Sequence, residues 1–185
     1  MSNINDFVIE DGLLTGYNGS NDTEVVIPDG VTKIDGYVFS SNDSLESVTI
    51  PDSVTEIGFS AFQCCGSLKT VKLGKSLKVI ADSAFYECAA IESIKIPGTV
   101  TAIGSCAFDG CSALENVTFE NCEGWAVYSE EYDSNMEMYF SELKNIVTSE
   151  DLADPAKAAE CLSKRCKAYY WCCNDTSYLD FMKSL

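Results

Sequence analysis

Apolar positions return at a fixed interval of 23 residues between positions 25 and 119. Phe39, Phe62, Phe85 and Phe108 mark one column, and Ile27, Ile50, Leu73, Ile96 and Phe119 mark a second. Ile34, Ile57, Ile80 and Ile103 mark a third. The first part of each interval alternates: in Leu45-x-x-Val48-x-Ile50, Ser47 and Thr49 separate the apolar residues. That period of two is the pattern of a strand with one buried face. Val48 and Ile50 are expected to point inward, and Ser47 and Thr49 outward.

A repeat of this length predicts stacked turns, each adding one rung to a continuous core. The strands should pair in parallel, about 4.8 Å apart. A single unit, such as Leu68, Val71, Leu73, Leu77, Ile80, Ala84 and Phe85, cannot bury its apolar face alone. About four and a half units are present, more than the roughly three such arrays need. The predicted division is residues 1–24 as an N-terminal cap, 25–119 as repeats and 120–185 as a C-terminal cap. In the first cap, Phe7–Ile9 and Leu13–Tyr17 read as a hairpin across Glu10-Asp11-Gly12. In the last, Trp125–Tyr128 reads as a further strand and Ser129–Glu137 as an acidic loop. Met138–Val147 stays open between strand and helix. Asp154-Pro155 predicts a helix start, with Asp154 as N-cap and Pro155 in the first turn. A helix over about 155–172 would place Ala158, Ala159, Leu162, Cys166, Tyr169 and Tyr170 on one face. That face would seal the bottom of the stack. The apolar tail with Tyr178, Leu179, Phe181 and Met182 would dock on the chain's own helix.

The spacing Leu-x-x-Val-x-Ile-Pro, followed by Ile-Gly-x-x-Ala-Phe-x-x-Cys, resembles the BspA-like leucine-rich repeat family. Leu45–Cys65 and Ile91–Cys111 carry the pattern best. It departs at Gly74, where the family has Pro, and at Asn42, where it has Cys. Trp125, Asp154-Pro155, Ala158-Ala159 and Tyr169-Tyr170-Trp171 are similar to the end region of some bacterial members. The resemblance implies an α/β or mainly β fold: a right-handed leucine-rich-repeat solenoid with a parallel sheet, an N-terminal β-hairpin cap and a C-terminal helical cap. It implies engagement of other macromolecules and no chemistry of its own.

Charge narrows the partners. The net charge is −17, so direct binding to a nucleic acid backbone is disfavoured. Residues 1–32 hold six acids and no base, and residues 96–143 hold nine acids and no base. Between them runs a basic strip of Lys69, Lys72, Lys75, Lys78 and Lys95. Acidity of this kind reads first as solubility for a long surface. The sharper alternative is an acidic decoy, with Glu130, Glu131, Asp133 and Glu137 mimicking a nucleic acid and inhibiting a basic enzyme.

Catalytic chemistry finds little footing. The chain has no histidine, which removes every His-based triad and acid–base pair. Gly74-Lys75-Ser76 looks like the tail of a phosphate-binding loop, but Lys69 stands where the leading Gly is required. Among the ten cysteines, Cys65, Cys88 and Cys111 share one repeat position and read as a buried column. Cys64, Cys106 and Cys122 follow no clear spacing. Cys161, Cys166, Cys172 and Cys173 lack the paired knuckles of a zinc site, so no metal and no cofactor is expected. The outward strand residues remain: Ser47, Thr49, Thr70, Lys72, Ser93, Lys95, Asn116 and Thr118, in two columns. They read either as solvated strand positions or as a non-enzymatic protein-binding face centred on Lys72 and Lys95, meeting a partner with acidic groups. No run of about 18 apolar residues suggests a membrane span. Met1–Asp6 is polar, which reads as cytoplasmic; a processed, exported chain would instead be secreted or serve as a surface adhesin fragment.

Overall fold

The computed structural model describes residues 4–19, 21–132, 134–135, 138–142, 147–165 and 169–173. After a 3-10 turn at Ile4–Asp6, the chain forms β1 (Phe7–Glu10) and β2 (Leu13–Tyr17). It then alternates between two faces: β3 (Glu24–Val26) and β4 (Lys33–Ile34), β5 (Ser47–Thr49) and β6 (Glu56–Ile57), β7 (Thr70–Lys72) and β8 (Val79–Ile80), β9 (Ser93–Ile96) and β10 (Ala102–Ile103), then β11 (Asn116–Phe119). The end region adds β12 (Trp125–Tyr132), β13 (Met138–Glu142), α1 (Ser149–Ala153), α2 (Pro155–Glu160), a π-helical turn at Cys161–Arg165 and β14 (Tyr170–Cys173). The result is a mainly β, parallel-sheet solenoid with few helices.

Residues one period apart lie on top of one another. Val25, Val48 and Val71 are in register across β3, β5 and β7, as are Ile34, Ile57 and Ile80 across β4, β6 and β8. The phenylalanine column is a stack of near-parallel rings: Phe39–Phe62 at 4.9 Å, Phe62–Phe85 at 5.2 Å and Phe85–Phe108 at 5.4 Å. Near-parallel rings at these separations fall in the range of offset-stacked pairs, and the rise per turn sets their spacing. Tyr17 and Phe7 continue the column into the N-terminal hairpin with tilted rings, each step 5.0 Å. That hairpin caps the stack as its sequence predicts, because β2 pairs in parallel with β4.

The cysteine column is also present, with a role beyond packing. Buried Cys65, Cys88 and Cys111 donate their thiols to the carbonyls of Phe39, Phe62 and Phe85 in the turn before, at 3.0, 3.0 and 3.2 Å. Burial pushes the Cys111 thiol up to about 12 and keeps it a proton donor. Cys64 and Cys106, which show no spacing in the sequence, occupy two turn positions of the repeat. Cys64 shares its left-handed backbone with Ser41, Glu87 and Gly110, and Cys106 with Tyr37, Ser60 and Ser83. A conformation, not a residue type, recurs at these positions.

The longest sheet contains the shortest strands, the two-residue β4, β6, β8 and β10. Its order is β1-β2-β4-β6-β8-β10-β14-β12-β13, and its last three strands correct the expected end region. The helix predicted over 155–172 covers only its first part. Asp154 caps α2 as expected, accepting from the amides of Ala156 and Lys157 at 3.0 and 3.2 Å. Ala158, Ala159 and Leu162 are buried, and α2 packs against β11. Tyr170 to Cys173, however, form a strand whose four residues are all buried. It lies antiparallel between β10 and β12, with Ile103 opposite Trp171 and Val127 opposite the same residue. Without β14, the last short strand would present unpaired backbone groups, and the Tyr-Trp pair favours a pleated, covered surface. The Tyr170 hydroxyl donates to Asp82 at 3.3 Å, and burial together with that carboxylate raises the phenol above its ordinary range.

Two further expectations change. Ser129–Tyr132, expected in an acidic loop, instead continue β12, which pairs antiparallel with β13. The segment left open between strand and helix is strand over Met138–Glu142. Helix α1 adds to the expected elements, and Thr148-x-x-Asp151 is its capping box. Asp151 donates its amide to the Thr148 hydroxyl at 3.2 Å, and Thr148 donates its amide to Asp151 at 3.0 Å. Cys166 and the tail bearing Tyr178, Leu179, Phe181 and Met182 lie outside the described residues.

Candidate functional site

The outward residues of the front strands form the two columns that alternation predicts. Ser47 lies beside Thr70 and Thr49 beside Lys72; Ser93 lies beside Asn116 and Lys95 beside Thr118. Ser47 and Thr49 are half-buried and the other six are exposed. The inward partners Val48 and Val117 are completely buried, which holds the outward side chains in fixed rows.

The lysines of the basic strip are unequal. Lys69 pairs with Glu46 at 3.0 Å, Lys95 with Glu120 at 2.7 Å, and Lys75 approaches Asp52 at 4.0 Å. Each acid comes from a neighbouring turn. Lys95 and the amide of Gly98 (2.9 Å) hold the Glu120 carboxyl below its ordinary range. Such exposed pairs contribute about 0–1 kcal/mol each, yet they cancel charge where it matters for recognition. Lys72 makes no ion pair among the described residues. The basic centre expected at Lys72 and Lys95 therefore falls mainly on Lys72.

The face is also divided. β3, β5 and β7 form one three-stranded sheet, β9 and β11 form a separate pair, and no hydrogen bond joins β7 to β9. At the other seams the bonds repeat. The amides of Lys69 and Thr70 both donate to Glu46 O (2.9 and 3.1 Å), and those of Glu115 and Asn116 to Glu92 O (3.0 and 3.3 Å). The Ile50 amide donates to Lys72 O at 2.9 Å. The corresponding amides of Glu92, Ser93 and Leu73 have no counterpart bond. A surface cleft of about 260 Å³ extends over β7, β9 and β11, lined by Thr70, Val71, Ser93, Ile94, Asn116 and Thr118 among others. The hydrogen-bonded seams continue unbroken on the other faces, from β4 to β10 and from Phe39 to Ala107.

The remaining sequence candidates do not converge in this way. Glu130 is exposed on β12 and Glu131 follows it in the same strand, whereas Asp133 and Glu137 lie outside the described residues. Among the described residues no group of His, Cys, Asp and Glu is arranged to hold a metal ion, and the described cysteines are free thiols. Cys173 donates to Glu123 O at 3.1 Å. No helix among the described residues is long and apolar enough to cross a membrane.

A family profile described as the BspA type leucine-rich repeat region matches residues 15–137 in 6 copies. The chain belongs to the BspA-type leucine-rich repeat family. The match is wider than the 25–119 array legible in the sequence and reaches into the hairpins at both ends. Among solved structures, a leucine-rich repeat protein of T. pallidum is similar at 31% identity and a TM-score of 0.58, over 61% of this chain and 57% of that one. This BspA-type chain thus spans little more than half of that relative's length. A leucine-rich repeat protein from Bacteroides capillosus is similar at 30% identity and a TM-score of 0.54, over 65% of this chain and 98% of that one. The pneumococcal vaccine antigen PcpA shares the fold at 24% identity and a TM-score of 0.60, over 64% of this chain and 29% of that one. No curated protein sequence matches.

Proposed function

We propose that this BspA-type repeat is a non-enzymatic protein-binding module that works through its front strand face. One observation carries the reading. Thr70, Lys72, Ser93, Lys95, Asn116 and Thr118 stand exposed in regular rows on the front strands β7, β9 and β11, and Lys72 makes no ion pair among the described residues in a chain of net charge −17. Repeat arrays recognise partners through such extended surfaces. Charge complementarity favours a partner that presents acidic groups, because like charges disfavour encounters elsewhere on the molecule.

The test is affinity capture from the source organism with the wild-type protein and with Thr70→Glu plus Lys72→Glu as paired baits. A partner retained by the wild type and lost by the variant, with the two circular dichroism spectra superimposable, supports the face. Equal retention by both baits excludes it.

A further inference from the structure

We infer that a hollow at the N-terminal end of the stack takes an arginine side chain of a protein partner, through carbonyl oxygens that the first turn leaves without donors. The inference is independent of the strand-face reading and concerns a different surface.

Beside the ring column the turns are joined by one repeated set of bonds. The amides of Tyr37, Phe39 and Ser41 donate to the carbonyls of Phe59, Ala61 and Gln63 in the next turn, at 3.1, 2.8 and 2.7 Å. Ser60, Phe62 and Cys64 donate in the same way to Asp82, Ala84 and Tyr86, and Ser83, Phe85 and Glu87 to Ser105, Ala107 and Asp109. Every bond runs from an amide to a carbonyl of the following turn, so these carbonyls point toward the N-terminal end. Gly36, Val38 and Ser40 hold the equivalent place in the first turn, and among the described residues no donor reaches their oxygens. The N-terminal hairpin does not replace the missing turn. Tyr17 sets its ring on Phe39 at 5.0 Å, but its backbone pairs with Phe7, and the Asn18 amide donates to Asp6 O at 2.8 Å. The ring column continues into the hairpin while the bonding ladder stops.

A hollow of about 380 Å³ lies at this point, lined by Tyr17, Asn18, Val38, Ser40, Asn42 and Asp43 among others. Asp43 is the one charged residue among the described lining, and it is exposed. The Tyr17 hydroxyl is already engaged, donating to Asp22 at 2.6 Å. Residues 1–46 carry nine acids and a single base, Lys33, whose ammonium is held by Glu56 at 2.7 Å. The field over this end of the molecule therefore favours a cation. Carbonyl oxygens accept and do not donate, so the matching group is one with N–H donors and no acceptor of its own. A guanidinium meets this better than an ammonium. Its five N–H donors are spread along a planar edge, which suits two carbonyls presented two residues apart, whereas the donors of an ammonium radiate from one nitrogen. A guanidinium is also the more weakly hydrated cation, so less solvation is lost on entry.

Two magnetic resonance measurements on the isotope-labelled protein test the site. Couplings across hydrogen bonds should join the amides of Phe39, Phe62 and Phe85 to the carbonyls of Ala61, Ala84 and Ala107, with none into Val38 or Ser40. A coupling into either of those two carbonyls overturns the open acceptors. In titration with N-acetyl-arginine methylamide at millimolar concentration, the carbonyl carbons of Val38 and Ser40 and the amides of Phe39 and Ser41 should shift most. The response should weaken several-fold for the neutral citrulline analogue, for the lysine analogue and for the Asp43→Lys protein, with the circular dichroism of that variant matching the wild type. If Asp43→Lys does not fold, Asp43→Asn carries the same comparison with a smaller loss. Equal shifts with the citrulline analogue overturn the cation, and equal shifts with the lysine analogue overturn the choice of arginine. Shifts centred on acids away from the hollow, such as Asp11 or Asp29, or no shift at all, overturn the site.

Discussion

The ring column offers the most direct check on how the repeats hold together. Phe62 is completely buried and stacks on two rings, Phe39 at 4.9 Å and Phe85 at 5.2 Å. Phe108 is buried to nearly the same degree but, among the described residues, stacks only on Phe85, at 5.4 Å. Replacing either by leucine keeps the site apolar and leaves a void of about 25 Å³, worth roughly 0.6 kcal/mol at about 24 cal/mol per Å³. Each lost ring pair adds about 1 kcal/mol beyond burial. Phe108→Leu should therefore cost about 1.6 kcal/mol and Phe62→Leu about 2.6 kcal/mol. Urea unfolding followed by far-ultraviolet circular dichroism measures both, with equal m-values required for a clean comparison. In a chain of this size the extra 1 kcal/mol corresponds to about 2–4 °C of Tm. Equal losses, or a larger loss at Phe108, would refute the claim that ring stacking stabilises the array beyond burial.

Two further outcomes follow from the packing. Cys88→Ala should destabilise by about 1.5 kcal/mol and Cys88→Ser by less, because a hydroxyl still donates to Phe62 O while the Cys65 amide at 3.3 Å remains its other donor; a serine variant no more stable than the alanine one in the same unfolding assay would show that the hydrogen bond to Phe62 O contributes nothing to stability. Lys95→Met should move the Glu120 carboxyl back toward 4.5, the ordinary glutamate value, read by carbon-13 pH titration. The sign follows from the lowered folded-state value: the pair's contribution is present above the unfolded pKa and disappears as pH falls through the folded one. A Glu120 titration unmoved by the substitution would place the cause elsewhere.

The chain's own order of residues determined the array. A 23-residue period repeats the same local choice in every turn, so the inward columns at Val48, Ile57, Phe62 and Cys65 and the outward rows from Ser47 to Thr118 are legible without coordinates. Each depends on residues close in the chain or one period away, and periodicity encodes both. Only the tertiary structure decided the ends and the break. β14 is a strand because an exposed edge beside β10 needs a partner from about 70 residues away, and local helical periodicity cannot report that demand. The gap between β7 and β9 is likewise invisible in the alternation, which is as regular at Thr70–Lys72 as elsewhere. Whether two turns bond depends on how closely they approach in space, a distance that no spacing along the chain contains.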